Sequence, residues 1–286
     1  MDTVLITGGS GFFANHFVRS LLARDNPPRK ISILSRSEYR QFQMNRELYS
    51  LDKTGALRFL IGDVRDRDRL RRAMEDIEVV IHAAALKRIE VGHYNPVEMV
   101  RTNVDGTINV VEAAKDAGVK KVIYLSSDKA FQPVSPYGLT KALGEQIVLS
   151  ANHTRGWRGP KYSCCRYGNI WRSTGSVVPV WESMIKVGSK SVPLTDGDCT
   201  RFFMRGPEAV DLVLNTIETM PPDKPVIPEL PAYRMADLAT AMGVATDITG
   251  LPVWEKKHES MDFGNSSDVA RRMTVDELRY ELENTR

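Results

Sequence analysis

Short apolar runs separated by amphipathic stretches dominate the first part of the chain. Five of these runs indicate buried strands, because a strand covered on both faces is apolar at nearly every position. They lie at residues 3–7, 31–34, 57–61, 78–81 and 121–126. The stretches between them predict helices, including a long one at 96–117. Alternating strands and helices predict an α/β fold, a Rossmann-type doubly wound parallel sheet with ligands outside the carboxyl ends of its strands.

The pattern is less regular beyond residue 161. The elements predicted there are a sixth strand at 162–167, a helix at 207–220, a strand at 226–228 that returns to the main sheet, and a charged helix at 275–284. We therefore expect residues 1–168 to form the doubly wound domain, with 206–229 returning to it. Residues 169–286 are expected to form a smaller, interleaved C-terminal region.

Composition narrows the class of protein. The 286 residues carry a net charge of +3 with acids and bases interspersed, which is not the footprint of a nucleic-acid-binding protein. Cys164 and Cys165 are adjacent in a predicted strand and Cys199 is alone, which argues against a disulfide framework or a metal site. No apolar run is long enough for a bilayer, and a strand begins almost at once where a signal peptide would stand. We expect a cytoplasmic protein without membrane, nucleic-acid or metal partners.

A glycine-rich turn joins the first strand to the first helix. It reads GGSGFFA, from Gly8 to Ala14. Gly8 permits a tight turn, and Gly11 lets the backbone approach a pyrophosphate at the helix N-terminus. Strand, glycine turn and helix in this order predict a dinucleotide site, although a purely structural turn is the alternative.

The residues after the second strand bear on which dinucleotide binds. Ser35 and Arg36 stand where NAD-binding folds usually carry an acid for the ribose hydroxyls, and Arg40 follows. A guanidinium fork matches a 2′-phosphate, so NADP is predicted. A solvated arginine, with Glu38 as a nearby counter-charge, is the alternative.

The stretch SSDKAFQPVSPYGLTK carries two sets of reactive residues. Tyr137 and Lys141 lie four apart at a predicted helix start, with Ser135 as the N-cap and Pro136 as the first helical residue. That spacing places both side chains on one helix face, where the ammonium is expected to lower the phenol pKa. With Ser127, they suit the oxidation of a carbinol by a nicotinamide. Tyr-x-x-x-Lys alone is a weak motif that ordinary helices also carry.

The second set is Asp128 and Lys129. Adjacent residues in a strand point to opposite faces. The two can therefore share one site only if the strand has already ended before them.

Taken together, the motifs resemble the extended short-chain dehydrogenase/reductase family, and within it the UDP-N-acetylglucosamine 4,6-dehydratases that also invert carbon 5. The matching motifs are TGGSGFF at Thr7, SRSEYRQ at Ser35, GDVRD at Gly62, AAALK at Ala83, YNPVE at Tyr94, TN at Thr102, SSDKAFQPVSPYGLTK at Ser126, RYGN at Arg166, GSVVP at Gly175, LTD at Leu194, TRF at Thr200, EKKHE at Glu255 and VARRMTVDEL at Val269.

Four features depart from the family pattern. Ser127 stands for a usual Thr, Ala14 for a Gly and Arg88 for a His, and the segment at 259–269 is shorter than usual. The first two changes keep the hydroxyl and the small side chain. The last two affect the substrate mouth, the wall beside the uridine and the contacts between subunits.

The resemblance implies a reaction. Tyr137 deprotonates the 4-hydroxyl of the sugar while NADP takes the hydride, Lys129 removes the proton from carbon 5, and Asp128 protonates the departing 6-oxygen. Returning a proton from the opposite face gives a product of the L-arabino series. A lysine base must be neutral, so we expect the charges of Lys141 and the nicotinamide, or desolvation, to lower the pKa of Lys129.

The resemblance and the motifs together define the expected contacts. NADP is expected to contact Thr7, Gly8, Ser10, Gly11, Phe12, Phe13, Ser35, Arg36, Arg40, Asp63, Val64, Ala83, Ala84, Ala85, Lys87, Asn103, Tyr137 and Lys141. The UDP-sugar is expected to contact Lys87, Asn169, Val177, Val178, Thr195, Arg201, Glu255 and His258.

Alternatives remain for individual residues and for the whole protein. Glu255 and His258 also suit a surface ion pair. A UDP-sugar 4-epimerase would use the same tyrosine and lysine, and a non-catalytic NADP-binding regulator would keep only the fold. The resemblance also implies a homo-oligomer.

Overall fold

The structure, a computed structural model, describes residues 1–285. Its strands are β1 Thr3–Thr7, β2 Lys30–Ser35, β3 Leu57–Ile61, β4 Val79–His82, β5 Lys121–Leu125, β6 Lys161–Cys165, β7 Ser191–Leu194, β8 Thr200–Phe202, β9 Ala232–Arg234 and β10 Ala245–Ile248. Its α-helices are α1 Phe12–Leu22, α2 Glu38–Leu48, α3 Arg67–Ala73, α4 Ile89–Tyr94, α5 Pro96–Val100, α6 Gly106–Asp116, α7 Pro136–Thr154, α8 Val177–Lys186, α9 Gly206–Thr219, α10 Met235–Met242 and α11 Val275–Asn284.

The first six strands form one parallel sheet in the order β3-β2-β1-β4-β5-β6. Alternate residues of each strand enter different cores: Val4 and Ile6 of β1 pack with α1, α2 and α9, whereas Leu5 packs with α3, α6 and α7. Both faces are therefore covered, as the apolar runs predicted, and the doubly wound fold is confirmed. The strand order reverses between β1 and β4, where such sheets bind ligands.

The sixth strand ends earlier than predicted, and the segment at 226–228 returns to the main sheet as predicted but as a single bridge rather than a strand. Val226 makes a single parallel bridge to Cys165, through hydrogen bonds of 2.8 Å from its N–H to Cys164 O and 2.9 Å from Arg166 N–H to its carbonyl. Pro225 and Pro228 flank it, and a proline has no N–H with which to extend a ladder.

The predicted long helix at 96–117 is interrupted. A π-helical turn, Arg101–Asp105, separates α5 from α6. The turn directs the Asn103 side chain at the loop after β4, where it accepts from Leu86 N–H at 2.8 Å and donates to Leu86 O at 3.0 Å. π-Turns of this kind often mark functional segments, because the inserted residue re-aims a side chain.

Much of the C-terminal part of the chain has a core of its own. Trp171, Trp181, Phe203 and Tyr233 are among its buried residues, beside the short pairs β7-β10 and β8-β9. Helix α9 instead packs against α1, β5 and β6 of the main sheet. The division into domains at residue 168 stays a prediction. Among residues 1–285, every helix is too short or too polar to cross a bilayer.

Candidate active site

A cleft of about 1350 Å³ runs along the carboxyl ends of the strands and continues beneath the C-terminal region. Among the predicted contact residues it is lined by Gly8, Ser10, Gly11, Phe12, Phe13, Ser35, Arg36, Arg40, Asp63, Val64, Ala83, Ala84, Ala85, Lys87, Ser127, Lys129, Tyr137, Lys141, Asn169, Val177, Thr195, Arg201 and Glu255. Residues distant in sequence thus share one site.

Two predicted cofactor contacts lie behind the cleft instead. Thr7 is fully buried, with its hydroxyl 2.7 Å from His82 Nδ1. Asn103 is buried in its bonds to the Leu86 backbone and to Thr140. Both side chains therefore support the loops that line the cleft, and their contact with the cofactor stays a prediction.

Two predicted substrate contacts and the predicted acid are also set back from the cleft. Val178 is buried in the C-terminal core, and His258 Nδ1 lies 2.8 Å from the Thr200 hydroxyl. Asp128 is buried behind Ser127, whose hydroxyl donates to Asp128 Oδ1 at 2.9 Å. Asp128 therefore does not line the cleft itself and is connected to it through the Ser127 hydroxyl.

The glycine turn forms the wall of the cleft beside β1. Gly8 has φ +65°, and a Cβ there would lie 2.8 Å from the Ala84 backbone, so only glycine fits. Gly11 N–H donates to Gly8 O at 2.9 Å, and α1 begins at the next residue. The turn leaves an open backbone cradle at a helix N-terminus, the geometry that binds a pyrophosphate.

The wall beside β2 carries the predicted 2′-phosphate residues. Arg36 Nη1 is 3.9 Å from Asp63 Oδ2, which Arg65 binds more tightly at 2.7 Å. Burial opposes ionisation of Asp63, but the bonds from Arg65 hold its pKa below the ordinary value. The Ser35 hydroxyl accepts from Gln41 Nε2 at 3.0 Å. Arg36 therefore keeps most of its donors available to the cleft.

Tyr137 and Lys141 lie in the first turns of α7 and line the cleft, as the sequence predicted. Ser135 accepts from Gly138 N–H at 3.2 Å and Pro136 opens the helix, so the predicted cap is confirmed. A Cβ on Gly138 would overlap the carbonyl oxygen of Lys129. The absence of a side chain there lets the helix start lie directly on the turn that carries Lys129.

The prediction that Lys141 activates Tyr137 is not supported. Lys141 Nζ donates to Leu125 O and lies 4.0 Å from the centroid of the Tyr124 ring. Burial lowers the pKa of Lys141 to about 8. Burial raises the pKa of Tyr137, and the groups that lower it in part are the Lys129 ammonium and the Ser127 hydroxyl.

A 3₁₀ turn, Asp128–Ala130, follows the end of β5, so the strand has ended before the Asp–Lys pair, as a shared site requires. Lys129 Nζ is 3.2 Å from Asp128 Oδ1 and 3.3 Å from Glu259 Oε1. Burial alone would lower the pKa of Lys129, but these two carboxylates raise it above the ordinary lysine value. The expected fall in the pKa of Lys129 is therefore wrong for this state, because the two carboxylates outweigh burial and the nearby Arg201 cation.

Asp128 behaves as a general acid requires. Burial raises its pKa above the ordinary value, and although Lys129 opposes that rise, the nearby Glu259 adds to it. Its second oxygen, Oδ2, is buried without a hydrogen-bond partner in the described part of the chain. A protonated Asp128 is thus compatible with its surroundings.

Glu259 is the residue that sequence reasoning missed. It ends the motif EKKHE, of which only Glu255 and His258 were assigned to the site. The signal that could have found Glu259 was its place in the same short motif as Glu255 and His258. Its side chain is only 2% exposed, and it lies beside both Lys129 and Lys256.

Arg201 was predicted to bind a diphosphate, but its guanidinium donates hydrogen bonds to protein groups. Its Nη2 donates to Glu255, and its Nη1 donates to Thr200 O at 2.8 Å and Lys257 O at 3.1 Å. Glu255 is thus paired inside the cleft rather than on the surface. No cluster of three or more His, Cys, Asp or Glu residues within 1–285 could hold a metal ion.

The model of one protein family, described as "Polysaccharide biosynthesis protein", matches residues 4–277. The chain belongs to this family. A similar protein is "UDP-N-acetylglucosamine 4,6-dehydratase (inverting)" of Campylobacter jejuni subsp. jejuni serotype O:23/36 (strain 81-176), 41% identical over 283 residues, which are 98% of this chain and 80% of that protein. The resemblance drawn from the motifs is confirmed.

The chain is also similar to a protein named for another reaction and to a solved structure. "UDP-glucose 4-epimerase" of Rickettsia canadensis (strain McKiel) is 37% identical over 242 residues, which are 84% of this chain and 70% of that protein. The crystal structure of Pen from Bacillus thuringiensis superposes with a TM-score of 0.92 at 31% identity, covering 99% of this chain and 98% of that one. Relatives of this chain are thus named for two different reactions.

Proposed function

We propose that the protein is an NADP-dependent UDP-N-acetylglucosamine 4,6-dehydratase that inverts carbon 5, giving UDP-2-acetamido-2,6-dideoxy-β-L-arabino-hex-4-ulose. The observation that carries the proposal is the Asp128–Lys129 turn, which stands beside Tyr137 at the same corner of the cleft. A carbinol oxidation alone needs only Tyr137, Lys141 and a hydroxyl. The name of the Campylobacter jejuni relative agrees with this reading.

The residues present fit a nicotinamide dinucleotide. The Gly8–Gly11 cradle suits its pyrophosphate, and Arg36 with Arg40 suits a 2′-phosphate at the adenosine end of the cleft. Lys141, at the other end, suits the nicotinamide ribose. When bound, the nicotinamide supplies the hydride acceptor for carbon 4 and the hydride donor for carbon 6.

Tyr137 starts the reaction by taking the proton of the 4-hydroxyl. Its phenol is buried, which opposes ionisation, while the Lys129 charge and the Ser127 hydroxyl favour the phenolate. Ser127 lines the cleft and is placed to orient the same hydroxyl. The ketone formed at carbon 4 makes the proton on carbon 5 acidic.

Elimination then uses the second set. Lys129, as the free amine, takes the proton from carbon 5, and the bond between carbon 6 and its oxygen breaks. The departing oxygen receives a proton from Asp128 through the Ser127 hydroxyl, 2.9 Å from Asp128 Oδ1. A hydride that the cofactor would supply at carbon 6, and a proton from solvent at carbon 5 on the face opposite Lys129, would complete the inversion without net oxidation.

A UDP-sugar 4-epimerase is the second candidate, favoured by the Rickettsia canadensis relative. It would use Tyr137 and Lys141 without Asp128 or Lys129. Mass spectrometry of the product from UDP-N-acetylglucosamine separates the two reactions, because dehydration removes one water and epimerisation does not. A protein that only binds NADP would give no product.

The stereochemistry is tested on the same reaction. In deuterated water, deuterium is expected at carbon 5. Borohydride reduction of the earliest product, compared with authentic D- and L-series 6-deoxy sugars, is expected to give the L series. Only D-series sugars at the earliest times would contradict inversion and leave dehydration standing. Homo-oligomerisation stays a prediction of the resemblance.

A further inference from the structure

Glu259 is a buried carboxylate to which the proposed mechanism assigns no role. Its Oε1 lies 3.3 Å from Lys129 Nζ, and its Oε2 lies 3.8 Å from Lys256 Nζ. Oε2 has no hydrogen-bond partner in the described part of the chain. The residue lines the cleft, so this carboxylate stands at the reacting corner rather than in the protein core.

The backbone around Glu259 holds the carboxylate in place. Glu259 N–H donates to Ser267 Oγ at 2.9 Å, and Ser267 N–H donates to Glu259 O at 2.7 Å. Ser267 Oγ also lies 2.6 Å from the Thr200 hydroxyl, which ties this segment to β8. These bonds fix the backbone from which the Glu259 side chain reaches Lys129.

The charged and titratable groups around the two residues come from several segments of the chain, and Lys87 after β4 and Tyr233 of β9 also face Lys129. Lys129 faces Asp128 on its own turn, Glu259, Arg201 of β8 and Tyr137 of α7. Glu259 in turn faces Lys129, Arg201 and Lys256. Two carboxylates thus bind the Lys129 ammonium directly, and one of them, Glu259, has other cations that keep it ionised.

We propose that Glu259 is a positioning residue that holds Lys129 Nζ beside Asp128 and sets how readily Lys129 releases its proton. The proposal rests on the proposed function, in which Lys129 must be the free amine to act at carbon 5. Without Glu259, the ammonium would keep one carboxylate partner only. The pH range in which the elimination is fastest would then change.

The sign of the effect follows from the charges. Removing the negative charge of Glu259 lowers the pKa of Lys129, because the ammonium loses an ion pair, and lowers the pKa of Asp128, because a like charge disappears. Lys129 then becomes a free amine at lower pH, and Asp128 loses its proton at lower pH. Both limbs of a bell-shaped pH–rate profile are therefore expected to move toward acid.

The test compares the parent with Glu259→Gln and Glu259→Asp by two measurements. Carbon-13 NMR of protein labelled at lysine Cε follows the titration of Lys129, whose signal is identified by its loss in Lys129→Met. The second is the pH profile of dehydration. The midpoint and both limbs are expected to fall by about 1–3 pH units in Glu259→Gln, the range for a charged neighbour within a few ångströms. Glu259→Asp, which withdraws the charge by one methylene, is expected to shift them less.

Glu281→Gln is the matched control. Glu281 is as buried as Glu259 and binds Arg205, outside the cleft. The Glu281→Gln change removes a buried carboxylate that pairs with Arg205, away from Lys129. The Lys129 midpoint and both limbs are therefore expected to stay at the parent values.

The outcomes separate the two proposals. An unchanged Lys129 midpoint in Glu259→Gln, or in Glu259→Asp if the glutamine variant does not fold, overturns the role of Glu259, and a parent that still dehydrates leaves the function standing. A shifted midpoint in a protein that gives no dehydrated product supports control of Lys129 by Glu259 and rejects the function. A loss of rate with unmoved limbs means that Glu259 is structural only.

Discussion

The two sides of the cleft differ in what they present to a ligand. The side formed by the glycine turn and the loop after β4 offers backbone groups and small residues, Gly8, Gly11 and Ala84 among them. The side formed by β8 and the 255–259 segment offers charged side chains that are largely buried in ion pairs, such as Arg201 with Glu255. The shape of the first side depends on the backbone conformation. The second side keeps its charges balanced only while both partners of each ion pair are present.

This difference determines how each side fails when it is changed. A left-handed glycine with backbone packed against it leaves no room for a side chain, but the chemistry of its neighbours matters little. A buried ion pair tolerates changes of shape poorly and leaves an uncompensated charge when one partner is lost. Variants of each kind, with matched controls, test whether the division is real.

The largest effect is expected at the catalytic corner between the two sides. Tyr137→Phe removes the base for the 4-hydroxyl and should lower the rate of product formation by about 10²–10⁴-fold, with no reduced nicotinamide in a single turnover. Tyr162→Phe is the control, because Tyr162 is a buried tyrosine that donates to Val111 O at 3.2 Å away from the cleft. Near-parent activity in Tyr137→Phe would contradict the assignment.

Lys129→Ala separates the two sets of residues at that corner. Reduced nicotinamide is expected to appear in a single turnover, because Tyr137 remains, while dehydrated product falls by about 10²-fold. Stopped-flow absorbance and mass spectrometry report the two events separately. If this variant dehydrates at the parent rate, Lys129 is not the base.

On the backbone side, Gly8→Ala and Gly55→Ala form a matched pair. Both glycines have φ +65°, but a Cβ at Gly55 meets open space, whereas one at Gly8 overlaps the Ala84 backbone. Gly55→Ala should cost about 1–2 kcal/mol in the free energy of unfolding, and Gly8→Ala about 2–5 kcal/mol with a loss of cofactor binding. Urea unfolding measures the stability of each variant, and cofactor titration measures its binding. Equal effects in the two variants would show that the contact between Gly8 and the Ala84 backbone is unimportant.

On the charged side, Glu255→Gln is expected to leave the buried Arg201 guanidinium without its carboxylate. The expected loss in the free energy of unfolding is about 1.5–3 kcal/mol, as for a hydrogen bond to a charged group. Asp2→Asn breaks the exposed pair with Arg29 and should cost less than about 1 kcal/mol. Chemical denaturation at neutral pH compares them, and similar losses would argue against a charged wall.

The smallest effect is expected in cofactor preference. Arg36→Asp should weaken NADP binding relative to NAD by about tenfold, because one charge-assisted hydrogen bond to the 2′-phosphate is lost. Arg24→Asp makes the same change of charge on an exposed residue outside the cleft. Titration of both dinucleotides checks the ratio, and an unchanged preference would remove the basis for choosing NADP.

The features that the sequence predicted correctly are those that a few neighbouring residues determine. The glycine turn, the Ser135 cap and the end of β5 before Asp128 depend on a few consecutive residues, and the structure has them where expected. Glu259 could not be derived in the same way, because its meeting with Lys129 depends on how the C-terminal region packs over the sheet. The interruption of the long helix was missed for a related reason, since the turn is fixed by the bonds of Asn103 to a distant loop.

The position of Glu259 late in the chain has a consequence for how the enzyme is made. Domains fold largely from the N-terminus during synthesis, so the sheet that carries Lys129 is available well before the ribosome has added residue 259. Until then Lys129 has Asp128 as its only carboxylate partner. A chain that ends before residue 259 would thus lack the second carboxylate partner of Lys129.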